Sequence, residues 1–446
     1  MNRDSGKKLI TVLAVLFFIL VIGLGVLIGL FIVKSEKTEE TTVVESAAEQ
    51  TTTDTQIAVS ETQPSEVSSA ATEALPADAS VTSETTSSKG EDDPDESKSA
   101  DELNVDEVIS SMSLHEKVCQ LFIVTPEQLT GYDVVTQAGD TTKEKLEEYP
   151  VGGLIYFAQN MEDYSQVEKM INDTKSYAKG ICKAPLFISV DEEGGDVARC
   201  ADTIGTTKFE PMFTYRDEGP ETAFDNAKQI AEDISKLGFN LDFAPVADTW
   251  SNPSNTVIGS RAYSDDFSET ADLVAEAVKG FSAGGVCCTL KHFPGHGDTA
   301  EDSHYFTAIS NRTLEQLEAE EYAAFKKGIS AGADMVMVGH ITVPALDEEP
   351  ASVSYKVITG ELREKLGFKG IIITDSLAMG AVANEYTTYD LASKVFLAGA
   401  DILLMPDDLP TAVKSIEDGV SEGRIDESRI DESLKRILLL KSKKIS

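Results

Sequence analysis

From Lys291 to His304 the chain reads KHFPGHGDTAEDSH, which gathers three of its five histidines with Lys291, Asp298 and Asp302. Pro294, Gly295 and Gly297 exclude a regular helix there, so the pattern predicts an irregular loop carrying ionisable groups. Such loops are where binding and catalytic groups concentrate. Asp302 and His304 lie two residues apart, so the carboxylate can orient the imidazole and raise its basicity. An imidazole titrates near neutrality and can give a proton in one step and take it back in the next. Asp375 leaves the β-prone end of IITDSLAMG with Ser376 and Gly380 behind it, a good place for a nucleophilic carboxylate. A carboxylate nucleophile and a proton shuttle are the minimum for double-displacement cleavage of a glycosidic bond, with the two groups about 5 to 5.5 Å apart across it.

Other chemistries compete for the same residues. His292, His296 and His304 with Asp298 and Asp302 are zinc-ligand types, but Lys291 and a Pro-Gly turn fit poorly with a compact ligand motif, and no metal site is expected. Lys291 at a strand end is also a candidate Schiff-base lysine. His296 reads as a structural residue that hydrogen-bonds the loop backbone. His340 either lines a pocket or satisfies a backbone carbonyl.

The elements that would hold these groups alternate. Apolar, β-rich runs cover Gln120 to Val124, Gly153 to Phe157, Pro185 to Val190, Asn240 to Val246, Val286 to Leu290, Asp334 to Gly339, Gly370 to Thr374 and Asp401 to Met405. Between most of them lie helical patterns, such as Thr222 to Leu237, Ser268 to Gly284, Leu314 to Ala331 and Tyr386 to Ala398. Ser113 with Glu116 forms a capping box at one helix start. Near-continuous apolar strands alternating with helices predict a parallel sheet, and eight of them predict a closed α/β barrel of the (β/α)8 TIM type. An open doubly wound sheet is the competing fold. Asp191, Asp248, Lys291 with His292, His340 and Asp375 each follow a predicted strand, and in a barrel those positions converge on one face. Asp248 or Asp334 taken alone reads as a helix cap.

Composition places the barrel. Residues 1–8 precede an uncharged apolar run, residues 9–33, of about 25 residues, long enough to span a bilayer. The run is too long for a typical signal-peptide core and lacks a small-residue cleavage pattern, which predicts a retained signal anchor. Arg3, Lys7 and Lys8 should stay cytoplasmic, leaving the rest of the chain outside the cell membrane. Residues 34–103 turn abruptly to Ser, Thr, Glu, Ala and Asp and cannot bury a core, so they read as a disordered tether. Such a coil of roughly 70 residues spans about 45 Å. Residues 104–446 remain for the barrel. The net charge of -39 excludes nucleic acid as a natural partner. Cys119, Cys182, Cys200, Cys287 and Cys288 show neither metal-knuckle spacing nor a disulfide framework, and the adjacent Cys287 and Cys288 read as core residues. An extracellular domain without disulfides suits a Gram-positive-type surface.

With these motifs in hand, residues 104–446 resemble the β-N-acetylhexosaminidase branch of glycoside hydrolase family 3. KHFPGHGDTAEDSH carries the likeness with DEEGG at Asp191 to Gly195, IGSRAY at Ile258 to Tyr263 and ITDSLAMGAV at Ile373 to Val382. The resemblance implies that Asp375 is the nucleophile, His304 the general acid/base and Asp302 its partner. It implies that Asp191, Arg199, Arg261, Lys291 and His292 bind a terminal β-linked N-acetylglucosamine, whose hydroxyls need donors and acceptors of these types. No cofactor is expected. Glycans or muropeptides bearing that sugar are the expected partners, with peptidoglycan fragments favoured by the external location. Phosphorolysis, β-glucosidase activity and a non-catalytic sugar-binding barrel are the alternatives. The chain departs from the pattern in two ways. Asp196 stands where the family commonly has a basic residue, and the sequence ends after the helical RIDESLKRILLLKSKK, which predicts no additional C-terminal domain.

Overall fold

The computed structural model describes residues 100–300 and 308–445. The expected anchor and nearly all of the expected tether lie outside the described residues; a helix, Ala100–Ser111, already begins ahead of the boundary expected at 104. Among the described residues no helix is long and apolar enough to cross a membrane.

Eight strands form one sheet: β1 Phe122–Val124, β2 Gly153–Ile155, β3 Phe187–Val190, β4 Leu241–Asp242, β5 Cys287–Phe293, β6 Met335–Val338, β7 Ile371–Thr374 and β8 Leu403–Leu404. Each pairs in parallel with the next, and β8 pairs with β1 through Phe122↔Leu403. A parallel bridge between Ile373 and Ile402 joins β7 to β8 and closes the ring. The closed (β/α)8 barrel is therefore present and the open sheet is not. All eight predicted runs overlap a strand of it, because strands buried on both faces must be apolar nearly throughout.

The helices cover the barrel by the rule that predicts them. In Pro220–Leu237 the buried residues Ala223, Ala227, Ile230, Ala231, Ile234 and Leu237 recur at helical spacing and form one apolar stripe. Ser113 and Glu116 make the expected reciprocal cap. The run expected as one helix from Leu314 to Ala331 instead passes through a wider π turn at Leu317–Glu321. Cys287 and Cys288 are buried in the core as expected, and all five cysteines are free thiols.

Buried polar side chains secure the lower rim, where the strands begin. Lys441 of the last helix is buried and donates to the Gln120 side-chain oxygen at 3.1 Å and to the Gly152 carbonyl at 2.8 Å. Its Nζ lies 4.8 Å from the centre of the Phe187 ring, so the starts of three neighbouring strands meet one side chain, whose pKa burial pushes down to about 7. Asp401, just before β8, is fully buried and accepts from Arg363 at 2.6 Å, Ser433 at 2.6 Å, Arg436 at 2.9 Å and the Ile372 main-chain N–H at 3.0 Å. It joins the closing strands to the last helix. Removing it strands cations in a poorly solvated place, so Asp401→Ala should lower the unfolding free energy by about 3–5 kcal/mol. Urea denaturation measures this, and a loss below about 1 kcal/mol would show that the arginines simply regain solvent.

Candidate active site

Every βα connection opens on the C-terminal face of a barrel, and polar side chains at the strand ends meet there. A cavity of about 280 Å3 lies on this face, lined by Asp191, Arg199, Arg261, Lys291, His292 and Asp375 among others. The structure thus brings together six of the eight residues singled out in the sequence. The other two, Asp302 and His304, lie outside the described residues.

Lys291 and His292 are not on an irregular loop, as their neighbours suggested. They belong to β5, which continues through Phe293, and the loop begins at Pro294. Both are buried, Lys291 to 3% exposure. Lys291 Nζ donates to Asp191 Oδ1 at 2.8 Å and lies 2.6 Å from Glu193 Oε1. Arg261 meets the same Glu193 with a two-point fork, Nε to Oε2 at 2.8 Å and Nη2 to Oε1 at 2.7 Å. Asp191, Lys291, Glu193 and Arg261 therefore form a row of alternating charge. Burial alone would raise the Glu193 carboxyl, but Arg261 and Lys291 hold it well below the usual carboxylate range. Burial likewise works against the Lys291 ammonium, yet Asp191 and Glu193 hold its pKa above the ordinary lysine value. A Schiff base needs a neutral amine, so this pairing tells against that use of Lys291.

The turn after β3 carries Asp191 and then folds into a two-stranded hairpin, Glu192–Gly194 with Val197–Ala198. Gly195 has φ +56, and an added Cβ there would meet Pro211 Cα at 2.6 Å, so both conformation and space require glycine. Glu192 points the other way from Glu193. Its carboxylate accepts from the Cys200 and Ala201 N–H groups at 2.7 and 2.9 Å, fixing the short helix that starts at Arg199. Arg199 lies 6.0 Å from the centre of the Phe157 ring, another lining residue. Asp196, the acidic replacement, is exposed and accepts a hydrogen bond from the Ser260 hydroxyl, which ties the hairpin to the segment carrying Arg261.

Asp248 follows β4 and is fully buried. It accepts from the main-chain N–H of His292 at 3.1 Å and of His296 at 2.7 Å, and contacts His292 Nδ1 at 2.7 Å. The sequence reading of Asp248 as a helix cap is thus corrected: it clamps the start of the histidine segment. The contact with Asp248 engages Nδ1 of His292, itself a lining residue of the cavity. Burial would raise the Asp248 carboxyl, but His292 and His296 hold it low. His296 also lines the cavity, beyond the structural role expected for it, while its Nδ1 contacts Thr299 Oγ1 at 2.8 Å and its carbonyl accepts from Asn255. Gly297 lets this loop pass against β4's outgoing chain, since an added Cβ would meet the Thr249 oxygen at 1.7 Å.

Asp375 follows β7, with its N–H donating to the Val338 carbonyl at 2.9 Å and its Oδ1 accepting from the Ser376 N–H at 2.7 Å. Burial would raise its carboxyl, but His292, His340, the Ser376 N–H and Lys291 together hold it below the usual value. These neighbours therefore favour its ionised form. His340 is not among the lining residues. It is fully buried, with Nε2 2.8 Å from the Ser376 carbonyl and Nδ1 2.7 Å from the Ser352 hydroxyl, so it fixes the main chain behind Asp375. Among the described residues no three potential ligands surround a common point that could hold a metal ion.

Glu193 was missed in the sequence although DEEGG was singled out. Its cationic partners, Arg261 and Lys291, come from other βα units, so spacing along the chain gives no signal for them.

Residues 113–440 match the model of the glycosyl hydrolase family 3 N-terminal domain. The chain is 33% identical over 326 residues to a beta-hexosaminidase A of Pseudoalteromonas piscicida, covering 67% of this chain and 54% of that protein. It thus spans about half the length of that relative. A beta-hexosaminidase of Xylella fastidiosa is 35% identical over 267 residues, 58% of this chain and 77% of the relative. Among solved structures, a glycoside hydrolase family 3 beta-N-acetylglucosaminidase from a Paenibacillus species superposes with a TM-score of 0.71 at 36% identity, covering 75% of this chain and 63% of that one.

Because Glu193 neutralises two cations and Asp191 only one of them, Glu193→Gln should lower the unfolding free energy by about 3–5 kcal/mol and Asp191→Asn by about 1 kcal/mol. The folded Glu193 pKa lies below the unfolded one, so its contribution is complete above the unfolded value of about 4.3 and is lost as pH falls toward the folded value. The gap between native and Glu193→Gln proteins should therefore narrow in acid. Equal losses for the two variants at neutral pH would refute the two-cation role.

Proposed function

Since the chain belongs to glycosyl hydrolase family 3, we propose that it is a retaining β-N-acetylhexosaminidase that removes non-reducing terminal β-linked N-acetylglucosamine. One observation carries this reading: side chains at the ends of separate strands, Asp191, Lys291 with His292, and Asp375, line one cavity together with Arg199 and Arg261. At about 280 Å3 the cavity is smaller than most ligand pockets. That size suits a single sugar ring and hence removal of one terminal residue at a time.

In the proposed reaction Asp375 attacks the anomeric carbon while the bond to the leaving oxygen breaks, and His304, oriented by Asp302, gives that oxygen its proton. His304 then takes a proton from water, which attacks the same carbon and releases Asp375 as a carboxylate. Supporting this are the depressed pKa of Asp375 and its place in the cavity. The row of Asp191, Lys291, Glu193 and Arg261 offers acceptors and donors to sugar hydroxyls without a large net local charge. His292, held through Nδ1 by Asp248, completes the set.

The setting is part of the proposal. The apolar run at residues 9–33, preceded by Arg3, Lys7 and Lys8, supports an anchored domain on the outer face of a cell membrane, where peptidoglycan fragments would supply the substrate.

The test compares release of a chromogenic aryl group from a β-N-acetylglucosaminide and from a β-glucoside by the full chain. Strong preference for the acetylated sugar is expected, and equal or reversed preference would overturn the substrate assignment. His304→Ala should lower turnover roughly 10²- to 10⁴-fold while sugar binding persists, the loss expected when an acid/base is removed. An unchanged rate would remove His304 from the mechanism.

A further inference from the structure

The connection after β5 is long: it leaves the strand at Pro294 and reaches the next helix only at Leu314. Its outgoing limb is pinned to the connection after β4. The Asn252 N–H donates to the Gly297 carbonyl at 3.1 Å, and the Asn252 side chain to the Asp298 and Thr299 carbonyls at 3.2 and 3.3 Å. Asn255 donates to the His296 carbonyl at 2.7 Å. The returning limb is pinned instead to the connection after β6. There Ala308–Ile309 pairs in parallel with Ile341–Thr342, and the Ser310 N–H donates to the Thr342 carbonyl at 3.0 Å. Asp302 and His304 stand in the sequence between these two limbs.

One side chain ties the limbs to each other. Arg312, on the returning limb, places Nε 3.4 Å from Oδ1 of Asp298 on the outgoing limb, while the Ser310 hydroxyl is 3.4 Å from the other oxygen of Asp298. The same Nε lies 3.3 Å from Glu321 Oε1, and Nη1 donates to Glu320 Oε2 at 2.5 Å. Its guanidinium stands 5.2 Å from the centre of the Phe267 ring, and the side chain is only 12% exposed. Glu320 and Glu321 end the π turn at Leu317–Glu321, a kind of helix irregularity frequent at functional sites. Glu321 Oε2 in turn lies against Gly295, where an added Cβ would meet it at 2.7 Å. Burial pushes the Glu321 carboxyl up to about 8 although Arg312 opposes this, so Asp298 and Glu320 are the main anions facing the guanidinium at neutral pH.

We propose that Arg312 is a positioning residue for the acid/base: it clamps the outgoing limb to the returning limb and to the π turn, and so sets the geometry of the connection that carries Asp302 and His304. The proposal rests on the activity reading above, in which His304 gives the leaving oxygen its proton. Arg312 is not among the residues lining the sugar cavity, so its effect runs through the connection alone. A planar guanidinium can meet several carboxylates at once in a fixed arrangement, which suits it to hold separate pieces of chain in register. Proton donation depends steeply on such placement.

The test measures kcat/KM of the full chain on phenyl and dinitrophenyl β-N-acetylglucosaminides. Phenolate needs a proton as it departs, whereas dinitrophenolate is so weak a base that it leaves without one. The phenyl-to-dinitrophenyl ratio therefore reports proton donation, while damage to the sugar cavity lowers both rates together. Arg312→Met, which keeps an apolar stem, should lower the ratio about 10- to 100-fold, the cost of misplacing a catalytic group by about an ångström. His304→Ala should lower it at least as far, and adding Arg312→Met to His304→Ala should change it no further, because both act on one proton transfer. Asp298→Ala should lower the ratio in the same sense and decides the matter if Arg312→Met fails to fold. An unchanged ratio in the folded variant, or a further fall in the double variant, overturns the proposal and leaves the activity reading standing. An unchanged ratio in His304→Ala, or no cleavage of either compound by the native protein, overturns that reading and the proposal with it.

Discussion

Glu193 is the constraint on which the site depends. It is buried, it lies 2.6 to 2.8 Å from both Lys291 and Arg261, and those cations come from different parts of the barrel. Two cations and one anion in a poorly solvated place would be unstable, so Asp191 completes the balance at 2.8 Å from Lys291. Buried charges with fixed partners cannot rearrange freely, and their orientation is set before any ligand arrives. Such preorganisation is what a polar site needs in order to favour one arrangement of hydroxyls and one pattern of developing charge.

Around that row, each further group is set by something behind it. Asp248 fixes the tautomer of His292 and the course of the chain through His296. Glu192 fixes the start of the helix bearing Arg199, and His340 fixes the carbonyl behind Asp375. These supports lie below the cavity on strand ends and short turns, so the scaffold and the chemistry meet within a few residues of each strand. The same economy appears at the lower rim, where Asp401 and Lys441 hold the ring shut far from the cavity.

Much of this was legible. Strands buried on both faces read as apolar runs, and all eight were found; helices whose stripes face the sheet show the helical period. The end of β5 was not, because Lys291 and His292 break the apolar pattern that marks a strand, and only the barrel's need for inward polar groups at strand ends explains them. The π turn at Leu317–Glu321 interrupts a run whose composition is that of an ordinary helix. Glu193 was passed over because its partners lie 68 residues away at Arg261 and farther still at Lys291, and single-sequence spacing carries no sign of such pairs. Asp248 looked like any acid after a strand until its three contacts were visible.

The proposed reaction requires Asp375 to form the covalent bond of a glycosyl-enzyme intermediate. A fluorinated N-acetylglucosamine analogue that forms the intermediate quickly and leaves slowly, followed by digestion and peptide mass mapping, locates the bond directly. One label per chain is expected, on Asp375, in the peptide that follows β7. A label on Asp191, Asp248 or any other carboxylate, or full turnover of substrate with no label trapped, would contradict it.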